Sequence, residues 1–252
     1  MSGKLYHIFV SDVHLGLKVK DPKERERRFV GFLNSLPVET KALYLVGDIF
    51  DFWYEYKYVV PKGHVRVLGA LASLRDRGVE LYFLKGNHDL WTFGYLEKEL
   101  GLKVLEQPYV VEIDGATFCI GHGDGLGKGD KMYKFLRRMF HSRFLQKLFS
   151  NIHPRWAFGL ANRWSKSSRL GHENSSYVFQ GENSPIYKFA DDFGKTHKID
   201  YYIFGHYHHA CNYDIPSGGK MYILGEWIHG SDFLYYDGSS LLIGSGYFPN
   251  IA

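Results

Sequence analysis

The sequence predicts an α+β fold, an αββα sandwich of two mixed β-sheets flanked by helices and carrying one helical insertion. Three observations predict it. Short runs rich in β-branched and aromatic residues recur along the chain, helical stretches separate the first three of them, and hairpin-type turns take over in the second half. The 252 residues suffice for one large domain, and residues 1–252 read as one, with 128–170 as an insertion within it.

The strand-like runs are Tyr6–Val10, Ala42–Val46, Val79–Leu84, Thr117–Ile120 and Tyr201–Phe204, and each leads within two residues into Gly, Asp, Asn or His. Between the first three lie stretches of helical character, Glu24–Leu36 and Val65–Arg77, and a third helix follows Gly94 to about Leu100. Turns at Asp114-Gly115 and Ser217-Gly218-Gly219, and a last pair of strands around Phe233–Ile243, give the hairpins.

The insertion breaks this alternation. From Met132 to Phe149 the apolar residues Met132, Phe135, Leu136, Met139, Phe140, Phe144, Leu145 and Leu148 fall near helical spacing, with Arg137, Arg138, Arg143 and Lys147 between them. His153-Pro154 ends this helix, and a second runs from Arg155 to about Ser167. Eleven of the 31 Lys/Arg but one of the 27 Asp/Glu lie between Lys128 and Arg169, so this segment is about +10 and the remainder about −6, although the chain is +4 in all. Such a surface suits an anionic partner: nucleic acid, a nucleotide or anionic lipid. An amphipathic pair that only packs on the sheet is the plainer reading, and the charge imbalance argues for a lid over the site.

Composition sets limits. The two cysteines, Cys119 and Cys211, form neither a disulfide framework nor a thiolate cage, and a reducing cytoplasm fits best. The N-terminal strand-like run lacks a long apolar region and a small-residue cleavage site, so it is not expected to be a signal peptide. No run approaches the roughly 18 apolar residues of a membrane span, so any membrane contact is expected to be peripheral. The aromatic share of 17% is high and calls for a use.

Five motifs carry the chemistry: Asp12-Val13-His14, Gly47-Asp48, Gly86-Asn87-His88-Asp89, Gly121-His122-Gly123-Asp124 and Gly205-His206-Tyr207-His208. Asp12 and His14, two apart just past a strand, can turn to one side. Asp48 offers two carboxylate oxygens and can bridge two cations; Asn87 offers an amide oxygen; His122, His206 and His208 offer imidazole nitrogens. This mixed N/O set suits Mn²⁺, with Fe or Zn²⁺ also compatible. The glycines before the ligands suggest sharp turns with positive φ. A single strand-end Asp or a lone His means little by itself, but five motifs in this order do not arise by accident. His7, His64, His141, His153, His172, His197, His209 and His229 have no comparable support.

The five motifs resemble those of the calcineurin-like metallophosphoesterases, matched from the first strand to about His208. The resemblance implies a calcineurin-like αββα sandwich in which Asp12, His14, Asp48 and His208 hold one metal, and Asp48, Asn87, His122 and His206 the other. Two cations would then neutralise the phosphate oxygens and activate a water for in-line attack. His88 would donate a proton to the leaving oxygen or stabilise the transition state, and Asp89 would orient His88.

The insertion narrows the resemblance. Gly123 through Tyr133, followed by basic amphipathic helices, is similar to the UDP-2,3-diacylglucosamine diphosphatases of lipid A biosynthesis, in which a helical lid covers two acyl chains. That likeness implies substrate contacts at Asp130 and Tyr133, with Arg137, Arg163, Lys166, Arg169 and Asn174 as further polar candidates. Leu224-Gly225-Glu226-Trp227 matches a late element of the same family. The candidate acyl contacts are Phe135, Met139, Phe140, Phe144, Leu148, Phe149, Trp156, Phe158 and Trp164, which would also account for the aromatic share. The best-known branch has Arg where this chain has His88, so the chain keeps the general phosphoesterase form.

The expected reaction is hydrolysis of the diphosphate to UMP and 2,3-diacylglucosamine 1-phosphate (lipid X), by a cytoplasmic enzyme peripheral to an anionic inner membrane. No nucleic acid and no obligate protein partner are expected. The alternatives are a phosphoesterase acting on another phosphodiester or nucleotide, and a non-catalytic phosphoesterase-like scaffold.

Overall fold

The computed structural model describes residues 4–128, 131–160 and 179–249. The first sheet runs in the order β11-β10-β1-β2-β3-β4 and the second in the order β5-β6-β7-β9-β8. The first consists of β1 Tyr6–Val10, β2 Thr40–Val46, β3 Glu80–Leu84, β4 Lys103–Leu105, β10 Asp232–Tyr236 and β11 Leu241–Ser245, and the second of β5 Tyr109–Ile113, β6 Ala116–Gly121, β7 Tyr201–Phe204, β8 Cys211–Asp214 and β9 Lys220–Ile223. Strands β1 to β4 are parallel, and β10 runs antiparallel to both of its neighbours, β1 and β11; in the second sheet β6, β7 and β9 are parallel.

Helices α1 Pro22–Ser35, α2 Val65–Asp76 and α3 Tyr95–Leu100 belong to the first sheet's outer side. Asp21 fixes the start of α1, two residues before the expected Glu24: its carboxylate accepts from the main-chain N–H of Lys23 and Glu24 at 3.0 Å, with Pro22 following. The α1 face buries Phe29, Phe32 and Leu33 against Val10, Leu43, Phe233 and Trp227. On the far side α6, Pro185–Gly194, packs Ile186 and Ala190 on Tyr202, Phe204 and Met221.

Between the sheets lie Phe9, Tyr44, Leu84, Phe118, Ile203 and Leu234. The ring of Phe9 stacks on Tyr44 at 4.8 Å and on Phe118 at 5.8 Å, and Tyr44 continues to Tyr82 at 4.6 Å. Much of the aromatic excess, expected at the insertion, is therefore spent on this layer.

The parallel order decides where chemistry can occur. Strands β1, β2 and β3 of one sheet and β6 and β7 of the other end at the same rim, and the five motifs follow those ends. The insertion also leaves from this rim, between β6 and β7. Where a single helix over Met132–Phe149 was expected, there are two, α4 Lys131–Phe140 and α5 Arg143–Phe149, parted at Ser142 in extended conformation. The break is stabilised at the carbonyl of Phe140, which accepts from the indole of Trp91 at 2.9 Å and the amide of Gln146 at 2.8 Å. A further helical run covers 154–160. The rest of the helix expected to about Ser167 lies outside the described residues.

Candidate metal centre

The ligand-bearing residues themselves, more than the glycines beside them, take the left-handed conformation. Asp12, His14, Asp48, His206 and His208 have φ of 54°, 48°, 52°, 73° and 54°. This strained backbone turns each side chain back over the rim, and the hydrogen bonds of Asp12 N–H to Gly47 O (3.1 Å) and His14 N–H to Asp48 O (2.9 Å) lock the loops together. Of the four glycines before the ligands only Gly47 has positive φ. Gly86 serves close approach instead: a Cβ there would strike Asp48.

The donors gather in two sets. Asp12 Oδ1 lies 3.2 Å from Nε2 of His208 and 3.8 Å from Nε2 of His14, and those two nitrogens are 3.1 Å apart. Asp48 Oδ2 lies 3.3 Å from Nε2 of His122 and 3.9 Å from Nε2 of His14, and Asn87 Oδ1 is 3.3 Å from the same His122 nitrogen. His206 completes the second set, with donor atoms of Asp48, His122 and His206 all within 4.8 Å. Asp48 thus stands between the sets, and its other oxygen accepts from the main-chain N–H of His88 at 2.9 Å.

These atoms fit cations. His122 Nδ1 is 3.0 Å from the carbonyl of Val46, which can only accept, so Nδ1 carries the hydrogen and the Nε2 lone pair of the neutral ring faces two oxygens. Acceptors turned on acceptors need a positive charge between them. Buried Asp12 Oδ1 has no hydrogen-bond partner. The spacings of 3.1 to 3.9 Å are close to those of neighbouring ligands at about 2.1 Å from one ion, roughly 3.0–3.4 Å apart.

Charge within the cluster points the same way. Burial opposes ionisation of Asp12, but His208 outweighs it and holds the carboxyl down to about 2. Burial likewise works against Asp48, and His122 and His88 overcome it, so its carboxyl stays well below the usual range. Burial lowers the His122 ring, but Asp48 outweighs it and drives the ring well above its ordinary value, so without an ion a proton on Nε2 supplies the positive charge that a bound cation would replace. His206, buried beside His122, is pushed down to about 4 and offers a neutral ring. The site attracts cations and keeps its carboxylates ionised.

Two acids do work the motifs did not reveal. Asp51, three residues after Asp48, places its carboxylate 3.4 Å from His14 Nδ1 and 3.7 Å from His88 Nδ1, and its carbonyl accepts from His88 Nδ1 at 3.0 Å. It was missed, although its i+3 spacing from Asp48 was readable. Asp89 departs from the expectation that it orients His88. Its two oxygens accept from the main-chain N–H of Asp48 (3.2 Å), Ile49 (2.8 Å), Phe50 (3.1 Å) and Gly86 (2.9 Å), so it clamps the loop after β2 to the loop after β3. Burial and neighbouring Asp48 raise it to about 7 against those donors. The His88 ring is oriented by Asp51.

The late Gly-Glu-Trp element is also structural. Trp227 donates its main-chain N–H to Asp12 O at 3.0 Å and buries its ring against Phe29 and Phe32.

The insertion divides its apolar residues cleanly. Phe149 packs on Trp91 at 4.7 Å and Tyr54 at 4.9 Å, Phe158 on Phe52 at 5.1 Å, and Phe140 on Trp91 at 5.6 Å. These three hold the helices to the loops after β2 and β3. Phe135, Met139, Phe144, Leu148 and Trp156 are exposed, from 37% to 76%. Arg137 is tied back, its Nε 3.0 Å from the Asp124 carboxylate, beside the loop that carries His122. Tyr133 lies in α4, but its side chain is outside the described residues, as are Asp130, Arg163, Trp164, Lys166, Arg169 and Asn174.

Residues 7–210 match the model of a family described as calcineurin-like phosphoesterase. A protein of Porphyromonas gingivalis named UDP-2,3-diacylglucosamine hydrolase is 38% identical, covering 97% of this chain and 98% of its own. One of the same name from Proteus mirabilis is 29% identical, covering 87% of this chain and 90% of its own. Among solved structures, a dimetal phosphatase from Danio rerio shares the fold, with a TM-score of 0.50 at 14% identity and coverage of 97% and 96%.

Proposed function

Since the chain belongs to the calcineurin-like phosphoesterase family of metal-dependent hydrolases, we propose that it cleaves the diphosphate of UDP-2,3-diacylglucosamine, giving UMP and 2,3-diacylglucosamine 1-phosphate. The observation that carries this reading is the adjacency of two donor sets to a basic helical insertion with an exposed apolar face. Asp12, His14, Asp48 and His208 would hold one divalent ion and Asp48, Asn87, His122 and His206 the other. We take both as Mn²⁺, in keeping with nitrogen and oxygen donors and no sulfur. Bound there, the ions neutralise phosphate oxygens and acidify water.

The chain's own residues prepare the rest. His122 keeps its hydrogen on Nδ1 through Val46, so its Nε2 stays free to ligate. His88 gives its Nδ1 hydrogen to the Asp51 carbonyl and turns Nε2 toward Asp48, 4.0 Å away. From that atom the ring would hand a proton to the leaving phosphate oxygen. Exposed Phe135, Met139, Phe144, Leu148 and Trp156 would meet acyl chains or the bilayer, while exposed Arg138, Arg143, Lys147 and Arg155 meet phosphates. On this reading the enzyme works in the cytoplasm, on the surface of the inner membrane.

The test is direct: purified protein, Mn²⁺ and UDP-2,3-diacylglucosamine should release UMP. Turnover of soluble phosphodiesters with no UMP would move the substrate elsewhere and sink the proposal.

A further inference from the structure

Among the described residues the two sheets present four edge strands, β4, β5, β8 and β11. Three carry a charge that discourages pairing with another chain: Lys103, Glu112 and Asp214. Strand β11, Leu241-Leu242-Ile243-Gly244-Ser245, carries neither charge nor proline, and Leu242 and Ile243 are 41% and 60% exposed.

Its register shows which backbone groups face outward. Opposed residues of an antiparallel pair alternate between those that exchange hydrogen bonds and those that exchange none. Gly246 N–H donates to Ser231 O at 3.0 Å and Asp237 N–H to Ser240 O at 3.3 Å, continuing the register in which Tyr235 faces Leu242 and Phe233 faces Gly244. Leu242 and Gly244 therefore bond to β10. Leu241, Ile243 and Ser245 turn their N–H and C=O groups to the outer edge.

We propose that this edge joins two copies of the chain, β11 to β11, antiparallel about a two-fold axis at Ile243. In that register Ile243 faces Ile243 of the second copy and Leu241 faces Ser245, so every outward group meets another and about six hydrogen bonds form. Leu242 lies opposite Gly244 of the second copy, where no side chain obstructs it. The occupant follows from charge. A chain of net charge +4 keeps this strand neutral, so a charged partner finds no complement there and a copy of the strand meets no repulsion.

The full-length protein should sediment at twice the monomer mass at micromolar concentration, and the amides of Ile243 and Ser245 should exchange slowly. Ile243→Pro removes one outward N–H and spares the ladder to β10. It should give monomer with a fast Ser245 amide and with Leu242 and Gly244 still slow. Ile243→Lys retains every backbone group and should dissociate the dimer by repulsion, which guards against misfolding of the proline variant. A wild-type monomer throughout, or a dimer that persists in both variants, overturns the proposal.

Discussion

Asp89 and His88 are neighbours in the chain, yet they serve different parts of the site. The Asp89 carboxylate is taken up by four main-chain N–H groups, whereas the His88 ring answers to Asp51. Replacing Asp89 by Asn would set an NH₂ group against donors and leave N–H groups buried without acceptors. Asp89→Asn should therefore cost about 2–4 kcal/mol in urea unfolding, with the shape of the pH–rate profile kept. A shifted profile at full stability would mean that Asp89 acts on His88 after all. The proposed ligands were legible because each sits inside a short local motif. The roles of Asp51 and Asp89 were not, because they arise from hydrogen bonds between loops some forty residues apart.

At the scale of elements, strand runs could be read nearly to the residue because β-branched and aromatic clusters end sharply at Gly and Asp. The insertion was harder. Helical periodicity continues across His141-Ser142, but Trp91 and Gln146 satisfy the end of α4 from outside it, and local pattern contains nothing of Trp91. The three packed aromatics and the exposed set should behave differently. Phe149→Ala should lower stability by about 2–3 kcal/mol and open the insertion to limited proteolysis. Trp156→Ala, at a residue 69% exposed, should change stability by no more than about 0.5 kcal/mol while lowering kcat/KM for an acylated substrate. Equal effects of the two on stability would refute the division.

In the whole molecule, two sheets hold five loops so that buried carboxylates and imidazoles crowd together, an arrangement that divalent ions relieve. Chelation should thus destabilise the fold as well as silence it. At a free ion concentration a hundred times its dissociation constant, binding contributes about 2.7 kcal/mol, so the metal-free protein should melt roughly 5–10 °C lower by calorimetry. An unchanged melting temperature would show that the loops are set without ions.

Strands β6 and β7 are hydrogen-bonded neighbours in fixed register, Gly121 opposite Phe204, although some eighty residues separate them in sequence. His122 and His206 therefore keep their spacing whatever the chain does in between. A lineage can lengthen, shorten or exchange that excursion by recombination and acquire a new clientele without rebuilding the reaction centre. The tolerance of that junction makes it a natural splice point for grafting foreign segments onto this hydrolase.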